Sequence, residues 1–157
     1  MLRLNSHDIR TLLSAIADLN SDFDPKSLPQ RALAFAEKVV PGDCASFDFF
    51  SSDHKYNLTA WTNRPDVSTP ENMEVFARHV HEHKMIPIAL AKQDVIAMQM
   101  TDVANQTAFA RTAFFNAFYR HHVFNCHMEF ALPVATDLTV SFAVTTGGKD
   151  FTERDRS

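Results

Sequence analysis

The chain has 157 residues, of which 45% are hydrophobic and 22% are charged, and 14 of them are Phe. This length suits one domain, and enough apolar surface is present for a large core, which excludes a disordered or fibrous chain. Fifteen Lys and Arg against nineteen Asp and Glu give a net charge of −4 with no concentration of basic residues, which argues against nucleic acid as a partner of this part of the protein.

Two amphipathic helices and a hairpin are predicted in the first part of the chain. Apolar residues recur at helical spacing over 9–19, after a cap at Ser6, and again over 28–39. Apolar and polar residues then alternate with a period of two, which predicts a first strand over 44–51. A polar tip joins it to a second run of strand-forming residues over 56–62, so the pair is typical of an antiparallel hairpin.

A third helix and an aromatic-rich fourth helix are predicted in the middle of the chain. Ser68 and Glu71 form a capping box in front of apolar residues at helical spacing, and Pro87 is expected to end that helix. A short strand is predicted over 95–101. Residues 107–120 are typical of an aromatic-rich helix.

The last two strands are predicted over 127–134 and 138–146, joined by a turn at 133–137. Bulky side chains such as Met128 alternate here with small ones such as Ser141. Small residues let a helix approach closely, whereas bulky ones either wall a cavity or fill a core. The element order predicts an α+β fold, with an antiparallel sheet of about five to six strands and helices on both faces.

The end of the sequence predicts the start of another helix. Thr152 stands where an N-cap is expected, and Asp155 follows three residues later. A helix that ended at Ser157 would be too short to hold itself together. We therefore expect that the full protein continues, with this helix leading into a missing C-terminal part.

Two segments of the chain form a recognisable pattern: 111–120, with the sequence RTAFFNAFYR, and 149–156, with the sequence KDFTERDR. Together they resemble the GAF-like N-terminal sensor domain of LuxR-type helix-turn-helix transcriptional regulators. The chain departs from the family pattern at His121, where Pro is common, and at Val123, where Gly is common. The resemblance implies a single GAF-like sensor domain over 1–157, followed by a DNA-binding domain that binds DNA as a dimer. It implies no particular ligand.

The resemblance implies partners, and the sequence itself indicates a location. Terminal helices commonly build a parallel dimer seam, so we expect a homodimer through Leu12, Ile16 and the missing continuation of the C-terminal helix. DNA would be bound only by the missing C-terminal domain. The N-terminus lacks the apolar core and cleavage site of a signal peptide, and the longest apolar stretches are far too short to span a bilayer. We therefore expect a cytoplasmic protein with no membrane partner.

Aromatic and bulky residues are the best candidates for contacts with a small-molecule ligand, because they offer apolar area and, in Trp and Tyr, one polar group. The candidates are Trp61, Phe114, Phe115 and Tyr119, with Phe47, Phe49, Met128 and Phe130 as a floor. Met98 and Met100 would line an adaptable wall. Each of these residues also suits an ordinary core position.

Two clusters of His and Cys resemble metal sites without matching a familiar ligand pattern. His79 and His83 would share a helix flank, and a solvated flank is the favoured interpretation because no HExxH motif is present. The second cluster lies at 121–127. Within this cluster, Cys126 and His127 would point to opposite faces of a strand, so they would not coordinate the same metal ion.

No catalytic signature accompanies these clusters. His127 and Glu129 share a strand face and form a possible acid–base pair, but no nucleophile lies at a recognisable spacing. With three glycines in all, the chain has no glycine-rich loop for a phosphate. We therefore predict neither enzyme activity nor a cofactor. Cys44 and Cys126 are expected to be free, buried thiols.

The sequence favours a regulatory sensor domain of a bacterial transcriptional regulator. An unknown small apolar or aromatic effector would enter between the bulky sheet face and the helices at 69–84 and 107–120, and would signal through the terminal helices to a C-terminal helix-turn-helix domain. Two alternatives stay open. One is a ligand-free dimerisation or protein-docking module, and the other is an enzyme or metal sensor using His121, His122 and Cys126.

Overall fold

The computed structural model describes residues 4–51, 59–91, 94–135 and 138–155. Its helices and strands are, in chain order, α1 (Ser6–Leu19), α2 (Leu28–Val39), β1 (Cys44–Ser51), β2 (Thr59–Thr62), α3 (Pro70–His79), α4 (Met85–Ala91), β3 (Ile96–Gln99), α5 (Met100–Val103), α6 (Gln106–Phe109), β4 (Cys126–Ala135) and β5 (Leu138–Thr146). A 3₁₀ turn, Val80–Glu82, lies between α3 and α4, and a π-helical turn, Phe115–Tyr119, lies between α6 and β4. The predicted polar tip at 52–55 and the predicted strand residues 56–58 lie outside the described residues.

The strands form one antiparallel sheet in the order β2-β1-β5-β4-β3. This confirms the predicted α+β fold and the hairpin of β1 with β2. β4 and β5 pair along their length, with a register shift between Pro133 and Ala135. Pro133 therefore belongs to β4 rather than to the turn predicted at 133–137, of which residues 136 and 137 lie outside the described part.

The two N-terminal helices form as predicted, and α2 packs its buried side against the sheet. The cap of α1 is Asn5 rather than the predicted Ser6. The side-chain oxygen of Asn5 accepts the backbone N–H groups of His7 and Asp8, and the Asp8 carboxylate accepts the Asn5 N–H in return. This reciprocal pair is a capping box, which satisfies the exposed donors of the first turn. Among the described residues, no helix has both the length and the apolar character needed to cross a bilayer.

The prediction that Pro87 ends the third helix is wrong. Pro87 lies in the first turn of α4, where its missing N–H costs no hydrogen bond within the helix. The chain leaves the helical conformation earlier, at His83, whose backbone is extended with φ −72° and ψ 116°. The cap of α3 is Thr69 rather than Ser68, because the Thr69 hydroxyl accepts the Asn72 N–H at 3.3 Å.

The aromatic helix predicted over 107–120 is instead two separate turns. Between them, the Thr112 hydroxyl donates to the Phe109 carbonyl at 2.8 Å and accepts the Phe115 N–H at 3.1 Å. These side-chain bonds compete with the backbone ladder of a continuous helix, which explains the break. The strand predicted over 95–101 forms as the shorter β3, because the chain turns into α5 directly after it.

Val123, in the turn after the π-helical segment, has a φ of +61°. This is the left-handed region, which a β-branched residue rarely adopts and glycine adopts without strain. The side chain is 70% exposed, so it does not compete for space in the core. The turn therefore has a backbone conformation suited to the Gly that is common in LuxR-type sequences, although this chain carries Val.

The segment 152–155 forms a turn that contains one half of the predicted capping arrangement, the contact from the Asp155 side chain back to Thr152. The Asp155 carboxylate accepts the Thr152 N–H at 2.7 Å and the Thr152 hydroxyl at 2.8 Å. Arg154 forms an ion pair with Asp8 at the start of α1. The last described residues and the first helix are therefore in contact.

Candidate functional site: a cavity on the polar face of the sheet

The two faces of the sheet differ in side-chain size and are covered by different helices. Beneath α2, bulky side chains such as Phe47, Met128 and Val144 form a packed apolar cluster. On the other face, alternate residues of the same strands are small or polar. These residues are Cys44, Ser46 and Asp48 of β1, Thr62 of β2, His127 and Glu129 of β4, and Ser141, Ala143 and Thr145 of β5.

A cavity of about 80 Å³ lies between this polar face and the elements that cover it, which are α3, α4 and the π-helical turn. Such a volume holds several water molecules or a small ligand. The walls are mainly apolar and include Phe50, Val67, Met73, Phe76, Ile86, Phe118 and Phe124. A polar floor beneath apolar walls is the usual composition of a small-molecule site.

The register of the strands places two carboxyl groups on this floor. Asp48 of β1 lies opposite Ser141 of β5, while Glu129 of β4 lies opposite Ala143 of β5. The two carboxyl groups therefore stand on either side of β5. The small residues between them, Ser141 and Ala143, leave the space that forms the cavity.

A chain of hydrogen bonds crosses the wall of the cavity. The Ile86 N–H donates to His83 Nδ1 at 3.4 Å, so a neutral His83 carries its proton on Nε2 and donates to Tyr119 Oη at 3.1 Å. The Tyr119 hydroxyl then donates to His127 Nδ1 at 2.5 Å. This leaves a proton on His127 Nε2, which lies 3.8 Å from Glu129 Oε2. The Ile86 N–H thus fixes the direction of each hydrogen bond in the series, so that each donated proton points toward Glu129.

Burial keeps His83 and His127, the two histidines in this series of hydrogen bonds, neutral. Desolvation lowers the pKa of His127 to about 4, and it lowers the pKa of His83 well below the usual value, with the neighbouring His127 adding to the effect. Burial also raises the pKa of Tyr119 well above its usual value. At neutral pH these three side chains therefore act as uncharged hydrogen-bonding groups.

Both carboxyl groups of the floor bind their protons more tightly than usual. Burial raises the pKa of Asp48 to about 7, against a hydrogen bond of 2.6 Å from the Ser46 hydroxyl. Burial, with a smaller contribution from Asp48, raises the pKa of Glu129 to about 8. Among the described residues, no hydrogen-bond partner reaches Glu129 Oε1, His127 Nε2 or Ser141 Oγ. Buried polar atoms without partners are costly, so these atoms are suited to receive a ligand.

The structure separates the eight residues predicted to contact a ligand. Five of them lie on the face beneath α2: Phe47, Phe49, Trp61, Met128 and Phe130. Phe114 and Phe115 pack in the apolar cluster under α3 and α4, and of the eight only Tyr119 lines the cavity. The expectation that the bulky sheet face and the helices at 69–84 and 107–120 enclose one cavity is therefore wrong. Those segments cover the opposite, polar face.

The sequence analysis treats His127 and Glu129 only as a possible acid–base pair, and it misses Asp48 and the other floor residues as ligand contacts. The signal was available, because Asp48 lies between two Phe on a buried strand and Glu129 lies between Met128 and Phe130. An ionisable side chain on a strand that is covered on both faces needs a hydrogen-bond or charge partner, or else a function. Two predicted wall residues, Met98 and Met100, pack in the apolar cluster instead.

The histidines and cysteines are divided between the cavity and other surroundings. His83 is buried in the cavity wall and the chain has left the helix before it, so the expected solvated flank shared with His79 is wrong. Cys126 packs beneath α2 whereas His127 lines the cavity, which confirms their opposite directions. Cys44 and Cys126 are free and buried, as predicted. Within the described part of the chain, no three His, Cys, Asp or Glu side chains are placed to hold a metal ion.

Comparison with known proteins identifies the fold. No protein-family profile and no curated protein sequence matches this chain. Among solved structures, it is similar to the ligand-binding domain of VqsR from Pseudomonas aeruginosa, with a TM-score of 0.70, 11% identity, and coverage of 96% of this chain and 86% of that one. It is also similar to CepR2 from Burkholderia cenocepacia, an N-acylhomoserine lactone-dependent LuxR-family transcription factor, with a TM-score of 0.63, 9% identity, and coverage of 96% and 85%. The chain therefore shares the fold of these domains, which confirms the resemblance to LuxR-type sensor domains at the level of fold.

Proposed function

We propose that this chain is the small-molecule input domain of a transcriptional regulator, and that its effector binds in the cavity on the polar face of the sheet. The shared fold supports a regulatory role. The observation that carries the proposal is the cavity itself, whose floor presents buried polar atoms of His127, Glu129 and Ser141 that lack partners among the described residues. A ligand-free docking module would have no need of such a space, so that alternative is not favoured.

The proposal assigns different roles to the predicted contact residues. Tyr119 contacts the effector directly, because it lines the cavity and its hydroxyl bridges two histidines. Phe114 and Phe115 support the effector site indirectly, because their rings pack against that of Tyr119. The bulky residues beneath α2, such as Phe47, form the rigid base on which the cavity floor is held.

We further propose that the domain is a homodimer that signals through its terminal segments. The side chains of Ile9, Leu13 and Ile16 on α1 are 46%, 61% and 42% exposed, and exposed apolar side chains on one helix favour a partner surface. Of the two predicted seam residues, Ile16 is exposed and Leu12 is half-buried. The contact of Arg154 with α1 joins this surface to the C-terminal segment. Any DNA contact would belong to another domain of the protein. We expect the protein to act in the cytoplasm.

A thermal-shift screen tests the binding proposal. Small metabolites and short-chain N-acylhomoserine lactones, the latter included because of the dependence stated for CepR2, would be tested against the wild type and against Ala143→Phe. Ala143 lies at the centre of the floor, so the larger side chain would fill the cavity. Compounds that raise the melting temperature of the wild type should have no effect on Ala143→Phe. If circular dichroism shows that Ala143→Phe is unfolded, Ala143→Val, which fills less of the cavity, takes its place.

A result against the binding proposal would be a stabilising compound that acts equally on the wild type and on a folded cavity-filling variant. The dimer proposal has a separate test. Leu13→Asp, measured by light scattering after size-exclusion chromatography, should convert a dimer into a monomer without loss of helical signal. A wild type that is monomeric at high concentration would contradict the dimer.

A further inference from the structure

The cavity holds two buried carboxyl groups and, among the described residues that line it, no Lys or Arg. Asp48 is 6% exposed and Glu129 is 2% exposed. The guanidinium of Arg64 lies 5.4 Å from the centre of the Phe124 ring, but Arg64 pairs with Asp66. A protein rarely buries two acids together without an opposite charge, because each ionised carboxylate loses its hydration.

Two hydrogen-bond donors that have no partner among the described residues, His127 Nε2 and the Ser141 hydroxyl, lie beside Glu129 and favour its ionised form. The proton on His127 Nε2 is directed to Glu129 by the chain that begins at the Ile86 N–H. The Ser141 hydroxyl, another donor, lies nearby. Glu129 Oε1 has no partner among the described residues. A carboxylate supported by donors on one side and open on the other suits a ligand that brings further donors.

The walls of the cavity suit the body of such a ligand. Phe76 and Phe118 form edge-to-face aromatic contacts with each other across the cavity wall, and Tyr119 adds a third ring. The faces of aromatic rings attract a cation, and the attraction strengthens when water is excluded. The volume of about 80 Å³ limits the ligand to a small molecule.

We propose that the effector is a small organic cation, with a primary ammonium group bound by the carboxylates of Glu129 and Asp48 and an apolar or aromatic body held by Phe76 and Phe118. This inference rests on the proposed function and specifies its ligand class. An anionic effector is disfavoured, because the cavity offers it no positive charge from the described residues and two carboxyl groups that would repel it when ionised.

Binding of the cation is coupled to proton release. In the free domain burial holds protons on both carboxyl groups near neutral pH, and an ammonium ion favours their ionised forms. The other titratable groups facing the cavity are Cys44, His83, Tyr119 and His127. Burial raises the pKa of the thiol and of the phenol and lowers the pKa of both imidazoles, so all four stay neutral at pH 7. The released protons therefore come from Asp48 and Glu129 and pass to the buffer.

Three probes of similar shape and different charge test the proposal. Benzylamine is cationic at pH 7, benzyl alcohol is neutral, and benzoate is anionic. Isothermal titration calorimetry of each probe, in two buffers of different ionisation enthalpy, measures both affinity and protons released. Benzylamine should bind at least about tenfold more tightly than benzyl alcohol and should release a measurable fraction of a proton or more, while benzoate should bind most weakly.

Two substitutions of the carboxyl groups locate the effect. Glu129→Gln should weaken benzylamine binding at least about tenfold and remove most of the proton release, while leaving benzyl alcohol binding within about twofold. Asp48→Asn should act in the same direction and serves as a second variant if the first fails to fold. Glu71→Gln, an exposed position on α3 outside the cavity, is the matched control and should change neither quantity.

Three outcomes would overturn the cation proposal. The first is equal binding of benzyl alcohol and benzylamine, and the second is unchanged benzylamine binding in folded Glu129→Gln; either would leave a ligand cavity in place with a different ligand class. The third is failure of all three probes to bind at millimolar concentration. The cavity-filling test with Ala143 variants would then decide separately whether the domain binds any small molecule.

Discussion

The two faces of the sheet are made from alternate residues of the same strands, yet one is solid and the other encloses a cavity. On β1, Phe47 packs beneath α2 while its neighbour Asp48 faces the cavity, and Met128 and Glu129 divide in the same way on β4. The difference shows where the cavity arises in this fold. It arises where small and polar side chains leave room under the helices, and the aromatic side of the sheet supplies the rigid base.

The largest expected effect concerns the solid face. Phe47 is 2% exposed, and its ring centre lies 5.1 Å from that of Phe142 and 5.2 Å from that of Phe49. Phe47→Ala should lower the free energy of unfolding by about 3–5 kcal/mol, because it removes buried area and leaves a void. Urea denaturation measures this loss. Phe23→Ala, at a position 91% exposed, is the control and should change stability by less than about 0.5 kcal/mol. A loss below about 1 kcal/mol for Phe47→Ala would contradict a solid face.

On the cavity side, the hydroxyl of Tyr119 is expected to matter next. Tyr119→Phe keeps the ring and its contact with Phe114, but it leaves His83 Nε2 and His127 Nδ1 without their buried partner. The free energy of unfolding should fall by about 1–3 kcal/mol. Thermal and urea unfolding at pH 7 check this value. Unchanged stability would mean that the two imidazoles are not held by this hydroxyl.

Glu129 should make the stability of the domain depend on pH. Because its pKa rises to about 8 in the folded protein, the folded state binds the proton more tightly than the unfolded chain does. This stabilising contribution is complete below the unfolded pKa of 4.5 and is lost as pH rises through about 8. Asp48, with a folded pKa of about 7, acts in the same direction.

Glu129→Gln removes the Glu129 contribution to this pH dependence. The free energy of unfolding of the variant, relative to that of the wild type, should rise by on the order of 1–3 kcal/mol from pH 5 to pH 8. Urea titrations at both pH values measure the difference. The exposed control Glu71→Gln should behave like the wild type throughout. A relative stability of Glu129→Gln that falls toward high pH would show that the carboxyl group is ionised in the free domain.

The smallest expected effect is at Ser141, whose side chain is fully buried and whose Oγ has no partner among the described residues. Ser141→Ala removes an unsatisfied polar group, so stability should rise slightly or change by less than about 1 kcal/mol. Differential scanning calorimetry resolves such a change. A loss above about 2 kcal/mol would show that this hydroxyl already has a partner in the free domain.

Much of the fold could be predicted from local patterns. The alternation over 44–51 and over 138–146 predicted two strands with their bounds, because side chains of period two fix both the strand and its faces. The helices around Pro87 and Thr112 could not be placed. A proline is tolerated in a first helical turn, and one threonine side chain can interrupt a helical pattern, and neither outcome is visible in the spacing of apolar residues.

The site was predicted only in part, for a physical reason. Alternation shows which residues share a face, but it does not show which face the later helices will cover. Phe47 and Met128 were correctly placed on one face, and that face was assigned to the ligand because of its aromatic area. The space depends instead on the small volume of Ser141 and Ala143 and on the approach of α4, which are properties of the packed chain.

The most direct test of the account is to observe which face a ligand reaches. Met73 lines the cavity, whereas Met128 is buried beneath α2 on the other side of the sheet. With ¹³C-methyl-labelled methionine, the most stabilising compound from the screen should shift the Met73 methyl resonance and leave that of Met128 in place. A shift of Met128 with no change at Met73 would place the ligand on the solid face and contradict the account.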